Sequence, residues 1–378
     1  MTANPFKPTA GADPPVLVGR GDLLDELADT FVDGPGSPGR ITIFTGVRGV
    51  GKTVMLNETE DMALRHGWLA LTETATDGLA QRLDVRVARI LEERVPRPRR
   101  RITGATLPGL VGVTTQLTPE IEDDLRQRVT ALLDDLERHG TGLLITIDEV
   151  HRGASADLRA VAALTQHLIR EGREFALAMA GLPSAVAGLL SDDVLTFLRR
   201  ASRHALGGVA IEEVEAAISS TMAEAGRTLE PEAARLAAAG TSGYPFLIQL
   251  VGHQLWRASR GATVATVAHA KQAVEAARRR MGSLVHETAL ADLSDVDKTF
   301  LVAMSHDRGP SRMGEIARRM RVQPQYANTY KQRLIEAGVI VSAGHGKVDY
   351  ALPYLREYLR EHAASLGLAP GASGLHLP

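Results

Sequence analysis

Cysteine is absent from this 378-residue chain. That excludes disulfides, thiol nucleophiles and zinc–thiolate sites, and it suits a cytoplasmic protein. Aromatic residues make up only 4% of a chain that is 44% hydrophobic, so any core must be aliphatic and alanine-rich. Charge of one sign is lacking too. The 43 Lys+Arg and 45 Asp+Glu leave a net charge of −2, so there is no global pull toward nucleic acid or a membrane surface. A basic patch, if present, must be local. No apolar run is long enough to span a bilayer, and Met1 to Pro15 has no signal-peptide core. Residues 1–15 and 365–378, rich in small residues, proline and glycine, read as disordered tails. The length leaves room for two or three domains.

The most informative stretch is Gly46-Val47-Arg48-Gly49-Val50-Gly51-Lys52-Thr53, which fits G-x-x-x-x-G-K-[ST] at every fixed position. An apolar β-type run, Ile41 to Thr45, leads in, and a helical stretch, Val54 to His66, leads out. In that setting Gly46, Gly49, Val50 and Gly51 let the backbone fold around a polyphosphate with its N–H groups inward, and the helix end adds a positive dipole. Lys52 would reach the β- and γ-phosphates, and the Thr53 hydroxyl would ligate Mg2+. A glycine-rich turn that merely packs closely does not explain the Lys-Thr that follows.

Further apolar runs at 68–72, 143–147 and 175–180, with a weaker one at 205–210, alternate with helical patterns. Near-continuous apolar strands of this kind predict an α/β fold with a buried parallel sheet covered by helices on both faces. Asp148-Glu149 closes the third run, at the strand edge where ligands bind in such sheets. Asp148 is placed to hold the magnesium shell, and Glu149 to polarise a water for attack on the γ-phosphate. An acidic pair after a strand also serves as a helix cap, but the phosphate loop upstream favours the catalytic reading. His151 either tunes Glu149 or is a surface residue. No Asn-Lys-x-Asp tetrad is present, so adenine is preferred over guanine and ATP is the expected nucleotide.

These motifs resemble the AAA+ ATPases, in particular the origin-recognition and archaeal-initiator branch and the related STAND switches. Leu17-Val18-Gly19-Arg20-Gly21-Asp22-Leu23-Leu24 looks like the family's entry motif, whose backbone borders the adenine, which implies contacts at Val18 and Gly19. Arg199-Arg200-Ala201-Ser202-Arg203 looks like the stretch before the last core strand. There the resemblance implies that Arg203 or Arg200 reaches the nucleotide of a neighbouring subunit, hence a homo-oligomer in the ATP state. Gly243-Tyr244-Pro245 looks like the G-x-P motif, which implies a nucleotide contact through Pro245. Two features depart from the family. The fourth strand ends without a polar sensor except the late Ser184, and the lid lacks a sensor arginine. Slow turnover is therefore expected, more a switch than a motor.

The resemblance divides the chain into a nucleotide-binding domain over 16–209, a helical lid over 210–287 and a winged-helix domain over 288–364. Within the last, helices are expected from Leu293, from Met313 and from Gln325, then two strands joined by Ala343 to Lys347. The third helix would read DNA through Gln325, Asn328, Lys331 and Arg333, with Lys347 at the wing tip. From Ser311 to Lys347, seven cationic side chains against two carboxylates leave a local +5. That is the footprint expected of a DNA-binding module, although winged helices also serve protein contact or autoinhibition. Arg94, Arg97, Arg99, Arg100 and Arg101 cluster around two prolines in an insertion over 81–125, where they would hold phosphates or simply stay solvated.

Overall fold

The computed structural model describes residues 3–9, 11–94, 121–150, 155–191, 193–291 and 293–363. Five parallel strands form the central sheet: β1 (Ile41–Thr45), β2 (Leu69–Thr74), β3 (Leu143–Asp148), β4 (Phe175–Gly181) and β5 (Ser202–Ala205), in the order β2-β3-β4-β1-β5. The register sets Ile43 beside Met179 on one side and Arg203 on the other. Helices α1 (Gly21–Val32) and α2 (Lys52–Arg65) cover one face, and α3 (Leu79–Arg94), α4 (Ile121–Arg138) and α5 (Ser155–Arg170) cover the other.

Alternation along each strand explains how both faces are filled. Ile43, Ile145, Ile147, Leu177 and Met179 enter the core under α3 to α5, whereas Phe44, Leu144, Ala176, Ala178 and Ala180 face α1 and α2. The three alanines of β4 leave space for α2 to lie close to the sheet, which brings the start of α2 to the strand ends. The α/β fold read from the apolar runs is the fold observed.

Three points differ from expectation or fall beyond it. The fifth strand is Ser202–Ala205, not 205–210. It is a sheet edge with one covered side, so its pattern alternates, while the apolar Leu206 and Val209 run on to join the core shared with the helices that follow. Residues 3–9 and 11–15 are not a disordered tail, because the Phe6 ring is 3% exposed and packed over Gly252, in the helices that follow β5. The other tail, 365–378, lies outside the described residues, as do His151 and the arginines from 97 to 101.

Helix α6 (Pro183–Ser191) follows β4. After β5 come the helices α7 (Ile211–Glu224), α8 (Pro231–Ala239), α9 (Pro245–Ala258) and α10 (Val267–Met281). Two short strands, β6 (Thr228–Leu229) and β7 (Val264–Ala265), pair parallel among them. A π-helical turn over Gly282–His286 and α11 (Glu287–Ala291) lead to the C-terminal module. There α12 (Asp295–Ser305) opens on a capping box made by Ser294 and Asp297, two residues beyond the expected start at Leu293. α13 (Met313–Met320) and α14 (Pro324–Glu336) follow, then α15 (Leu355–His362), beside an antiparallel sheet in the order β8 (Ser311–Arg312), β10 (Lys347–Tyr350), β9 (Ile340–Ser342).

Candidate functional site

The loop between β1 and α2, Gly46 to Gly51, lies where the alanine face of β4 lets α2 close onto the sheet. Gly49 and Gly51 adopt φ of 74° and 93°, a region that a side chain strains. Gly49 is closed in further, because a Cβ there would sit 2.1 Å from the Tyr244 hydroxyl. Tyr244 donates from that hydroxyl to the Arg48 carbonyl, and the Phe246 N–H donates to the Gly49 carbonyl at 3.2 Å.

Helix α9 therefore braces the loop directly, through residues on either side of Pro245, which itself lines the cavity. The sequence marks Tyr244 only as a neighbour of Pro245; its bracing of the phosphate loop comes from the structure. Its signal was an aromatic residue at the N-terminal end of a proline-led helix.

Lys52 and Thr53 begin α2. The Lys52 ammonium donates to the Gly46 and Val47 carbonyls at 2.9 and 2.8 Å. Burial pushes its pKa down to about 8, against the pull of the Asp148 and Glu149 carboxylates. The Thr53 hydroxyl donates to Asp148 Oδ2 at 2.6 Å, so the two expected metal ligands converge on one point. Glu149, one residue on, holds a φ of 55°. That left-handed backbone costs about 1–3 kcal/mol in a non-glycine residue and is a known mark of working sites. The Glu149 N–H is held by Asp148 Oδ1 at 2.7 Å, and the Val150 N–H by the Ala180 carbonyl at 3.0 Å.

These groups border a cavity of about 370 Å3. Val18 and Arg20 line it from the entry motif, with Arg20 also donating to the Gly207 carbonyl at 2.7 Å. Gly19 lies against the start of α7, where a Cβ would meet the Glu213 carboxylate at 2.7 Å. Gly49 to Thr53, Asp148 and Glu149 form the floor. Leu284, Val285 and Thr288 reach it from the junction before the C-terminal module, and Leu182 from the turn after β4. Its size suits a nucleotide, since small-molecule sites run to roughly 300–1,000 Å3. A hydroxyl, a carboxylate and a buried ammonium at one end are the donor set that a magnesium-bound polyphosphate needs. Among the described residues no cluster of three His, Cys, Asp or Glu is present, so protein ligands alone would not hold a metal there.

Other expected residues lie elsewhere. Arg200 and Arg203 are exposed, and neither lines the cavity. Ser184 does not face it; its hydroxyl donates to the Glu336 carbonyl at the end of α14, at 3.0 Å. In the C-terminal module Gln325, Asn328 and Lys347 are exposed and Lys331 is half-buried. Arg333 is exposed as well, with its guanidinium 3.0 Å from the buried Asp297 carboxylate. The strand register sets Arg312 directly opposite Lys347.

Residues 16–177 match the AAA ATPase domain, and residues 283–359 match a domain of unknown function (DUF8462). No curated protein matches the sequence. Among solved structures, the Aeropyrum pernix ORC2 protein (ADPNP-ADP complexes) is similar with a TM-score of 0.61 at 16% identity, covering 95% of this chain and 97% of that one. The Walker-type ATPase paby2304 of Pyrococcus abyssi gives 0.63 at 15% identity, covering 91% and 96%. Cdc6p from Pyrobaculum aerophilum gives 0.51 at 16% identity, covering 95% and 96%. At these identities the likeness is one of fold.

Proposed function

We propose that this P-loop NTPase, an ATP hydrolase with an AAA-type nucleotide domain, works as a slow, nucleotide-controlled switch that engages DNA through its C-terminal module. The observation that carries the reading is the turn after β4. Leu182 lines the cavity and also packs on Gly338, where a Cβ would come within 3.2 Å of it, while Ser184 holds the end of α14. A change at the phosphate end of the cavity would therefore be felt by the helix expected to read DNA. In this reading 16–209 binds nucleotide, 210–287 is the lid, and 288–364 is a winged helix.

Each side chain then has a role. Lys52 neutralises the β- and γ-phosphates, with the loop from Gly46 to Gly51 supplying N–H donors. Thr53 and Asp148 would hold Mg2+, which supplies charge neutralisation when bound. Glu149 accepts a proton from the attacking water, and the strain at its backbone fixes where its carboxylate starts. Val18, Gly19 and Pro245 border the adenosine. Arg203 or Arg200 serves the site of a neighbouring copy. The β4 strand supplies no polar side chain at its end, since Gly181 is closed in by Val150, 2.4 Å from a Cβ placed there. That absence supports slow hydrolysis.

The DNA side of the proposal is supported by the Arg312–Lys347 pair. Like charges directly opposite each other destabilise a sheet, so their pairing at an exposed wing suits a bound polyanion. Asn328 and Gln325 would contact base edges, and Lys331 a phosphate. Fluorescence anisotropy of a labelled duplex, with the full chain in ADP or an unhydrolysed ATP analogue, tests this. Three phosphate contacts give a log–log salt slope of roughly −3. Retention of duplex in one nucleotide state but not the other is the expected result, and no retention at low salt in either state overturns it. The Ser184–Glu336 contact also favours a second reading, in which the module holds the nucleotide domain shut and contacts no DNA. That reading expects faster nucleotide release in Ser184→Ala.

A further inference from the structure

Residues 4–9 and 11–14 cross the mouth of the cavity and are fastened at both sides. On the lid side, the Asn4 amide donates to the His253 carbonyl at 3.2 Å, and the Lys7 N–H donates to Gln249 Oε1 at 3.1 Å. Between them the Phe6 ring enters the lid core over Gly252. Glycine in mid-helix costs about 1 kcal/mol relative to alanine. Here it makes the seat, because a Cβ at 252 would lie 2.3 Å from the ring. On the other side, Asn57 of α2 donates to the Gly11 carbonyl at 3.3 Å and to Asp13 Oδ1 at 2.8 Å. A Cβ on Gly11 would lie 3.9 Å from the Thr53 methyl. Thr9, Gly11, Ala12 and Pro14 line the cavity between these two anchors.

We infer that this segment is a wall of the nucleotide site, a strap from lid to base that must unfasten before nucleotide leaves. The inference rests on the nucleotide reading of the cavity. Asn57 acts as a positioning residue, since it holds the strap over Thr53 and is not among the residues that line the cavity. The strap ties α9 to α2, so it also resists any opening of the lid. A nucleotide held beneath it gains contacts from Thr9, Gly11, Ala12 and Pro14.

The test is release of a fluorescent ADP analogue from the full chain, chased with unlabelled ADP in a stopped-flow instrument. Asn57→Ala unfastens the strap from the base, and Gly252→Ala expels the Phe6 ring although alanine favours the helix. Each should speed release about tenfold, the scale of one lost anchor. Adding Phe6→Ala to Gly252→Ala should change little, because the ring is already unseated. A part that only stabilises the fold would lower the unfolding midpoint and leave release alone. Wild-type release rates in both Asn57→Ala and Gly252→Ala overturn the strap while leaving the nucleotide reading intact. A wild-type chain that binds no analogue overturns both.

Discussion

Lys52 shows how a site tunes one residue. With its pKa near 8 rather than the usual 10.5, its charge is lost on modest alkalinisation. A polyphosphate favours the charged form, so nucleotide affinity should fall as pH rises from 7 to 9, and binding above pH 8 should take up a proton. Calorimetry in two buffers of different ionisation heat measures that uptake, which Lys52→Arg should abolish. Lys52→Ala should remove most affinity at every pH. For Glu149 the expectation is kinetic. Glu149→Gln should bind ATP yet hydrolyse it at least ~10²-fold more slowly, as measured by phosphate release. Normal turnover in that variant would leave Glu149 as a cap rather than a base.

At the scale of elements, the π-helical turn before α11 is the sensitive joint. Its His286 is fully buried, and the ring shares a hydrogen bond with the Pro353 carbonyl at 2.8 Å. Burial pushes its pKa down to about 4, with the Pro353 carbonyl and the Glu357 charge acting the other way. The unfolded chain takes up this proton near pH 6.5, the folded chain only near 4. The unfolded state thus binds more protons in that window, and stability falls as pH drops through it, by at most roughly 3 kcal/mol. Urea unfolding at pH 7 and 5 should show a loss in the wild type that His286→Asn lacks. The Tyr244 contact belongs to this scale too. Tyr244→Phe leaves the Arg48 carbonyl without its donor and should cost about 1 kcal/mol in chemical unfolding.

For the whole molecule, the edge position of β5 leaves Arg203 exposed, and in the proposed reading it serves the site of a second copy. Specific ATPase activity should therefore rise with protein concentration, and Arg203→Ala should flatten the curve. A flat wild-type profile rejects action across subunits. The sheet was legible because its inner strands β1, β3 and β4 are buried on both faces and read as unbroken apolar runs. The phosphate loop and the acidic pair were legible because their spacing is local. β5 was misplaced because an edge strand is polar on its open side, and the tail because Phe6 finds its seat only at Gly252. The two hydrogen bonds that flank the ring join residues 249 and 242 positions apart. This separation has a consequence for how the chain matures on the ribosome. The segment around Phe6 has no place to dock until α9 has been made and packed. Until then the phosphate loop lies uncovered, so in the proposed reading a nucleotide that binds the nascent chain is enclosed only when α9 and the N-terminal segment dock together.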